Sequence, residues 1–231
     1  MALRLRSGRE VTAHTGSEAG TSMISAQEAL QRLQEGNQRF VAGTTAQGSF
    51  TSQTRRELAE RQEPFAIILG CSDSRVPAEI VFDQGLGDLF VIRVAGNIVA
   101  PSQVGSVEFA AARFGTPLVV VLGHSNCGGI VATLEELVRP SEDRSWNLRS
   151  IVNRIRPSVE PLLATEIRHD HDALVWHAVR ANVRASANHL RHGSEVLEQL
   201  IQKDKLLVVG AEYSLHTGVV DFFDCPPEGA Q

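Results

Sequence analysis

Three short, unbroken apolar runs mark the centre of the chain: Phe65-Ala66-Ile67-Ile68-Leu69, Leu89-Phe90-Val91-Ile92 and Leu118-Val119-Val120-Val121-Leu122. Apolar runs without polar alternation suit strands buried on both faces, as in a parallel sheet. Between the second and third runs, Val104 to Phe114 has helical spacing and stops at Gly115, and Ile130 to Val138 gives another helix directly after Gly128-Gly129. Strands and helices alternating in this way predict βαβ units, hence an α/β fold around a mostly parallel sheet. Ahead of them, Ser25 and Glu28 form a capping-box pair before Ala29, Leu30 and Leu33, which predicts an amphipathic helix reaching Phe40 and Val41. A polar helix is expected over Ser52 to Arg61. Residues 148–203 read as helical, with breaks expected near Pro157 and Pro161 and again at Gly193-Ser194, where Ser194 caps a last helix. Two further apolar stretches, 206–210 and 218–223, flank Ser214-Leu215-His216-Thr217 and predict a closing hairpin.

These patterns divide the chain into a leader over 1–22, expected to be disordered from its Ser, Thr, Gly and Arg content, a helical arm over 23–61, an α/β domain over 62–224 and a short tail over 225–231. With 42% hydrophobic and 21% charged residues the composition is that of a globular protein, which removes fibrous and fully disordered readings. A net charge of −5, without a Lys/Arg run, argues against a nucleic-acid partner and for a small substrate. The start of the chain lacks a signal-peptide core, and no apolar stretch is long enough to span a bilayer, so a membrane location is not expected. Three cysteines are too few for a disulfide framework and fit a reducing compartment, the cytoplasm, where thiols serve as ligands or nucleophiles.

Candidate chemistry sits where two of the apolar runs end. The first run leads into Gly70-Cys71-Ser72-Asp73-Ser74-Arg75, and the third into Gly123-His124-Ser125-Asn126-Cys127-Gly128-Gly129. The carboxyl ends of parallel strands form the crevice where ligands bind, so these segments can converge despite the residues between them. A cysteine ending a buried strand is ordinarily a small hydrophobe, and a lone histidine beside it an ordinary core group. Here the two segments bring two cysteines and a histidine, with a charged pair, Asp73 and Arg75, in an apolar neighbourhood. Cys71, His124 and Cys127 therefore predict a zinc site with three protein ligands and an open fourth position, the pattern of a catalytic centre. Gly128 and Gly129 allow close backbone approach at a helix start, where free N–H groups favour an anion. Elsewhere, His169, His171 and His177 read as polar-face histidines of a helix, Cys225 as a free thiol, and Trp146 and Trp176 as packing residues.

Cys71-Ser-Asp73-Ser-Arg75 followed by His124-Ser-Asn-Cys127-Gly-Gly resembles the signature of the β-class carbonic anhydrases. The resemblance extends to Gly36-Asn37-Gln38-Arg39-Phe40, Gln62, Asp88-Leu89-Phe90-Val91, Ala95-Gly96-Asn97, Gly105-Ser106 and Tyr213, and covers about residues 25–224. It implies four parallel strands plus an antiparallel edge strand, flanked by helices, with N-terminal helices packed on a partner subunit in a homodimer or a tetramer made of two dimers. It also gives the helix around 26–40 a place, since its apolar stripe has no evident seat in the sheet domain. The implied reaction is reversible hydration of carbon dioxide to bicarbonate and a proton by zinc-bound hydroxide, with one Zn2+ per chain.

In that scheme Asp73 orients the nucleophile, Arg75 holds Asp73 in a bidentate pair, and Gln62, Gly128 and Gly129 help to bind substrate. Should the pair with Arg75 break, Asp73 would close the site by taking the fourth position. Two thiolates cancel the formal charge of the ion, so activity is expected to rise toward alkaline pH. A second, inhibitory bicarbonate site found in part of the family is matched by Val76-Pro77-Ala78, Arg93 and Tyr213, but its tryptophan is Ile68 here, so this inhibition is not expected. Two rival functions stay open at the level of sequence. One is hydrolysis of carbon disulfide or carbonyl sulfide on the same scaffold, and the other is a noncatalytic scaffold stabilised by zinc.

Overall fold

The computed structural model describes residues 24–45, 51–140 and 145–226. The expected leader over 1–22 and most of the expected tail lie outside the described residues. Five strands form one sheet in the order β2-β1-β3-β4-β5. They are β1 (Ala66–Gly70), β2 (Leu89–Arg93), β3 (Leu118–His124), β4 (Leu207–Tyr213) and β5 (Val220–Asp224). The first four pair in parallel, and β5 closes the predicted hairpin antiparallel to β4. All residues of β1 and β3 are buried, as their unbroken apolar runs predict.

Alternate residues of these strands feed two apolar layers. Ile68, Val120, Leu122, Val209 and Ala211 face one cluster, into which α1 (Ala26–Val41) and the short α3 (Ala78–Val81) pack. Ile67, Leu69, Val119, Val121 and Val208 face the other, covered by α4 (Pro101–Phe114), α7 (His171–His192) and α8 (Glu195–Gln202). A third cluster, above the carboxyl ends of β1 and β3, joins α5 (Gly128–Val138), α6 (Trp146–Val159) and α7 around Ile130, Ile155 and Ala178. It also contains Cys71 and Cys127, so the candidate site has an apolar roof.

The helix starts follow their side chains. Ser25 Oγ accepts the Glu28 N–H, and the Glu28 carboxylate accepts the Ser25 N–H, which satisfies two otherwise orphaned donors of α1. Ser194 caps α8 in the predicted manner. The helix α1 does have a seat on its own sheet domain, contrary to the sequence expectation. Ala29 and Leu33 are fully buried, and Asn37 donates to Val81 O and Gly218 O while accepting from Val220 N. Full burial of Leu33 alone contributes about 2 kcal/mol. The helix α2 (Ser52–Glu60) differs, since none of its residues is buried.

Pro157 does not break its helix. The helix α6 runs through it to Val159, and the chain turns into 3-10 geometry only at Glu160-Pro161. Proline removes one hydrogen bond near the helix end, and burial of Val152, Ile155 and Val159 along one face outweighs that loss. The two tryptophans are more exposed than a packing role requires: Trp146 is 83% exposed, and Trp176, at 44%, lies under the Arg180 guanidinium.

Candidate metal centre

Strand register brings the site together. Gly70 at the end of β1 stands opposite Leu122 of β3, so Cys71, just beyond β1, and His124, the last residue of β3, share one edge of the sheet. The chain then turns through Asn126, with φ of 53°, and Cys127 occupies the position preceding α5. The end of β3 is tied down by β4, because Ser125 N–H donates to Tyr213 O and Ser125 Oγ accepts from Leu215 N. The Cys71, His124 and Cys127 donor atoms all lie within 4.8 Å of one another, and all three residues are buried. Theirs is the one such cluster of potential metal ligands among the described residues.

The donor set fits zinc. A tetrahedral ion about 2.3 Å from each sulfur sets the two sulfurs about 3.8 Å apart, and Cys71 Sγ lies 3.9 Å from Cys127 Sγ. His124 Nδ1 is 3.0 Å from Ser125 O, an acceptor, so Nδ1 carries the proton and Nε2 keeps its lone pair. That Nε2 is buried without a hydrogen-bonding partner, a costly arrangement unless a cation completes it. The thiols behave as a linked pair. The Cys127 thiol next to Cys71, helped by nearby polar groups and opposed by burial, holds the Cys71 thiol well below the usual thiol range. The same contact, with burial adding to it, pushes Cys127 up. A divalent cation between the sulfurs is what allows both to be thiolates.

Asp73 stands at the mouth of the cluster, its Oδ2 3.8 Å from His124 Nε2. Arg75 grips it in a fork, with Nε to Oδ1 at 2.9 Å and a terminal nitrogen to Oδ2 at 2.7 Å, and the Arg75 backbone N–H also donates to Oδ1 at 3.0 Å. The Arg75 guanidinium holds the Asp73 carboxyl well below the usual carboxylate range. Arg93 donates to Cys71 O at 3.0 Å and to Asp73 O at 2.6 Å, fixing the loop that carries both residues. Sequence reasoning placed Arg93 in a possible bicarbonate pocket. In the structure those two carbonyls take its guanidinium, while Ile68 and Tyr213 are buried in the apolar layer beneath α1.

Residues 66–220 match the carbonic anhydrase family model. The fold superimposes on one of two tetrameric β-carbonic anhydrases from Sordaria macrospora with a TM-score of 0.65 and 27% identity, over 74% of this chain and 86% of that one. The chain belongs to the β-class carbonic anhydrases. Carbonic anhydrase 2 of Mycobacterium tuberculosis is 40% identical over 190 residues, covering 82% of this chain and 89% of its own length. The carbonic anhydrase of Mycolicibacterium smegmatis is 39% identical over 193 residues, covering 84% and 91%. The chain is thus an enzyme of this family, and its Cys-His-Cys cluster fits a metal site.

The other residues singled out from the sequence sit less centrally. Gln62 is exposed at the amino end of β1, in a groove with Arg55, Arg61 and Arg113. The metal ligands occupy the opposite end, about 17 Å away for five extended residues, so Gln62 cannot reach the cluster of its own chain. Gly128 is exposed at the start of α5. Gly129 has a packing reason to be glycine, since a Cβ there would come within 3.2 Å of Gly96 Cα. Sequence reading noted Ala95-Gly96-Asn97 only as part of a resemblance and missed its contact with the site, where Gly96 N–H donates to Cys71 Sγ at 3.3 Å.

Proposed function

We propose that this chain hydrates carbon dioxide reversibly to bicarbonate and a proton, with one zinc ion per chain held by Cys71, His124 and Cys127. The observation that carries this reading is the clamped Asp73 carboxylate at the mouth of a three-donor cluster. When bound, zinc supplies Lewis acidity toward water, which makes a nucleophile available near neutral pH. Asp73, ionised and acceptor-only, accepts a hydrogen bond from the attacking water and so leaves an oxygen lone pair turned toward the substrate carbon. The fork from Arg75 fixes the plane of that carboxylate and keeps it from swinging inward to occupy the open position. Gly128, exposed at the start of α5, is placed to favour the bicarbonate product, while the Gly129 N–H is turned to the Cys127 sulfur.

The position of Gln62 supports a role in a second copy's site, with the exposed α2 as part of the arm that contacts it. The assembly is then a homodimer, or two dimers joined in a tetramer; the Sordaria enzymes are tetrameric. The domain division into an arm over 23–61 and a catalytic unit over 62–224 follows from the same reading, and three cysteines without a disulfide fit a cytoplasmic location. Among the described residues no helix is long and apolar enough to cross a membrane, and the net charge of −5 fits a small substrate better than a nucleic acid.

Stopped-flow hydration of carbon dioxide by zinc-loaded protein, from pH 6.5 to 9, tests the proposal. The expected result is fast turnover that rises with pH, because two thiolate donors soften the ion's acidity. A plateau already reached at pH 6 would contradict the thiolate argument. Turnover of carbon disulfide or carbonyl sulfide without carbon dioxide hydration would move the assignment to those substrates, and full zinc content without any turnover would leave only a scaffold.

A further inference from the structure

Two polar side chains are buried in α7 on the far side of the metal site, where the surrounding core is apolar. Asn182 is 2% exposed and Ser186 5%, and they lie one helical turn apart on one face. Both spend their donors on the same short turn, Ala95–Asn97. Asn182 Nδ2 donates to Gly96 O at 2.8 Å, and Ser186 Oγ donates to Asn97 O at 3.1 Å. The Asn97 N–H is committed to Val94 O at 3.0 Å. With those groups held, the Gly96 N–H points at Cys71 Sγ.

The turn cannot hold this pose by itself. Gly96 has φ of 70°, a left-handed conformation, and a Cβ there would strike Ile155 Cδ1 at 2.7 Å. Its neighbour Asn97 is also left-handed, with φ of 41°. Glycine takes this conformation without strain, so the modest cost falls on Asn97, and outside contacts offset it. On the opposite side the backbone of Gly129 passes against Gly96, so the turn is wedged between α5 and the two α7 donors.

We propose that Asn182 and Ser186 are positioning residues for the metal site, acting through the Ala95–Asn97 turn to aim the Gly96 N–H at the Cys71 sulfur. This rests on the assignment of Cys71 as a metal ligand. An N–H donated to a thiolate draws charge from the sulfur and fixes its direction, so it sets both how firmly the ion is held and how strongly the sulfur donates to it.

Cobalt(II)-substituted protein provides a readout that a merely structural role would not move, the sulfur-to-cobalt charge-transfer band. It is measured together with metal retention against a competing chelator and with Tm. In Asn182→Ala the band is expected to shift and weaken, and retention to fall about tenfold. Ser186→Ala should show a smaller change in the same direction, and Ser186→Thr, which keeps the hydroxyl, should restore the wild-type band. If Asn182→Ala does not fold, the Ser186 pair decides. Variants with a lowered Tm but the band and retention of wild type would overturn the proposal. A wild-type band without carbon dioxide turnover would overturn the functional reading and leave the positioning role standing, whereas a wild type without the band overturns both.

Discussion

The two halves of the site are built differently. The His124–Cys127 half ends a fully buried strand and is stitched to β4 through Ser125, and both of its ligands lie in the core. The Cys71–Arg75 half keeps only its ligand, Cys71, in the core and then leaves the sheet. Asp73 has 17% of its side chain exposed and Arg75 56%, and the loop beyond Cys71 is held by two arginines. A donor set that must keep one geometry is placed where nothing can move. A carboxylate that must face water and substrate is placed at the rim, under a clamp that solvent can reach. Holding the ion and directing the nucleophile are therefore separable, and substitutions should separate them.

The largest effect is expected in the buried half. His124→Ala removes a ligand and leaves two sulfurs 3.9 Å apart with nothing to neutralise them, so zinc content and turnover should both fall to background. Substantial zinc retention there would contradict the division. In the exposed half, Arg75→Lys keeps the charge but loses the fork, and turnover should drop by up to about 100-fold with zinc content unchanged. Parallel loss of metal would show that the halves are not separable. Gln62→Ala touches neither half within its own chain, and loss of one hydrogen bond to substrate in a partner's site should raise KM roughly two- to tenfold with little change in kcat. An unchanged KM would remove Gln62 from the site.

The smallest effect is on stability. Arg75 depresses the Asp73 pKa in the folded state, so the pair stabilises the fold fully above the ordinary carboxylate range, and that contribution is lost progressively as pH falls from there toward the depressed folded value. Because Arg75 is more than half exposed, solvent screens the pair and its contribution is small. Arg75→Ala should lower Tm at pH 7 by about 2–4 °C, and the gap from wild type should narrow below about pH 4. A gap that widens toward acid would give the sign the other way.

Much of this was legible in the sequence because the strongest signals were local. Unbroken runs such as Leu118–Leu122 are strands buried on both faces, and Ser25 with Glu28 can only be a helix start. The ligands were legible because two soft donors close two parallel strands. What escaped were long-range contacts with no local mark. The seat of α1 depends on Asn37 reaching Val81 and Gly218 across the fold, and Gly96 reaches Cys71 only because α7 holds its turn. Pro157 misled for the reverse reason, since a local rule was outweighed by tertiary burial. Gln62 could be named from a family pattern, but its distance from the site of its own chain needed coordinates.

The most direct test of the division between holding and directing is Asp73→Asn, with zinc content and carbon dioxide hydration measured on the same sample. The substitution is nearly isosteric and lies outside the three donors, so it should keep one zinc per chain while turnover falls about 100-fold or more. Wild-type turnover with full zinc would contradict the account by removing Asp73 from the reaction, and loss of zinc would contradict it by making Asp73 part of the hold on the metal.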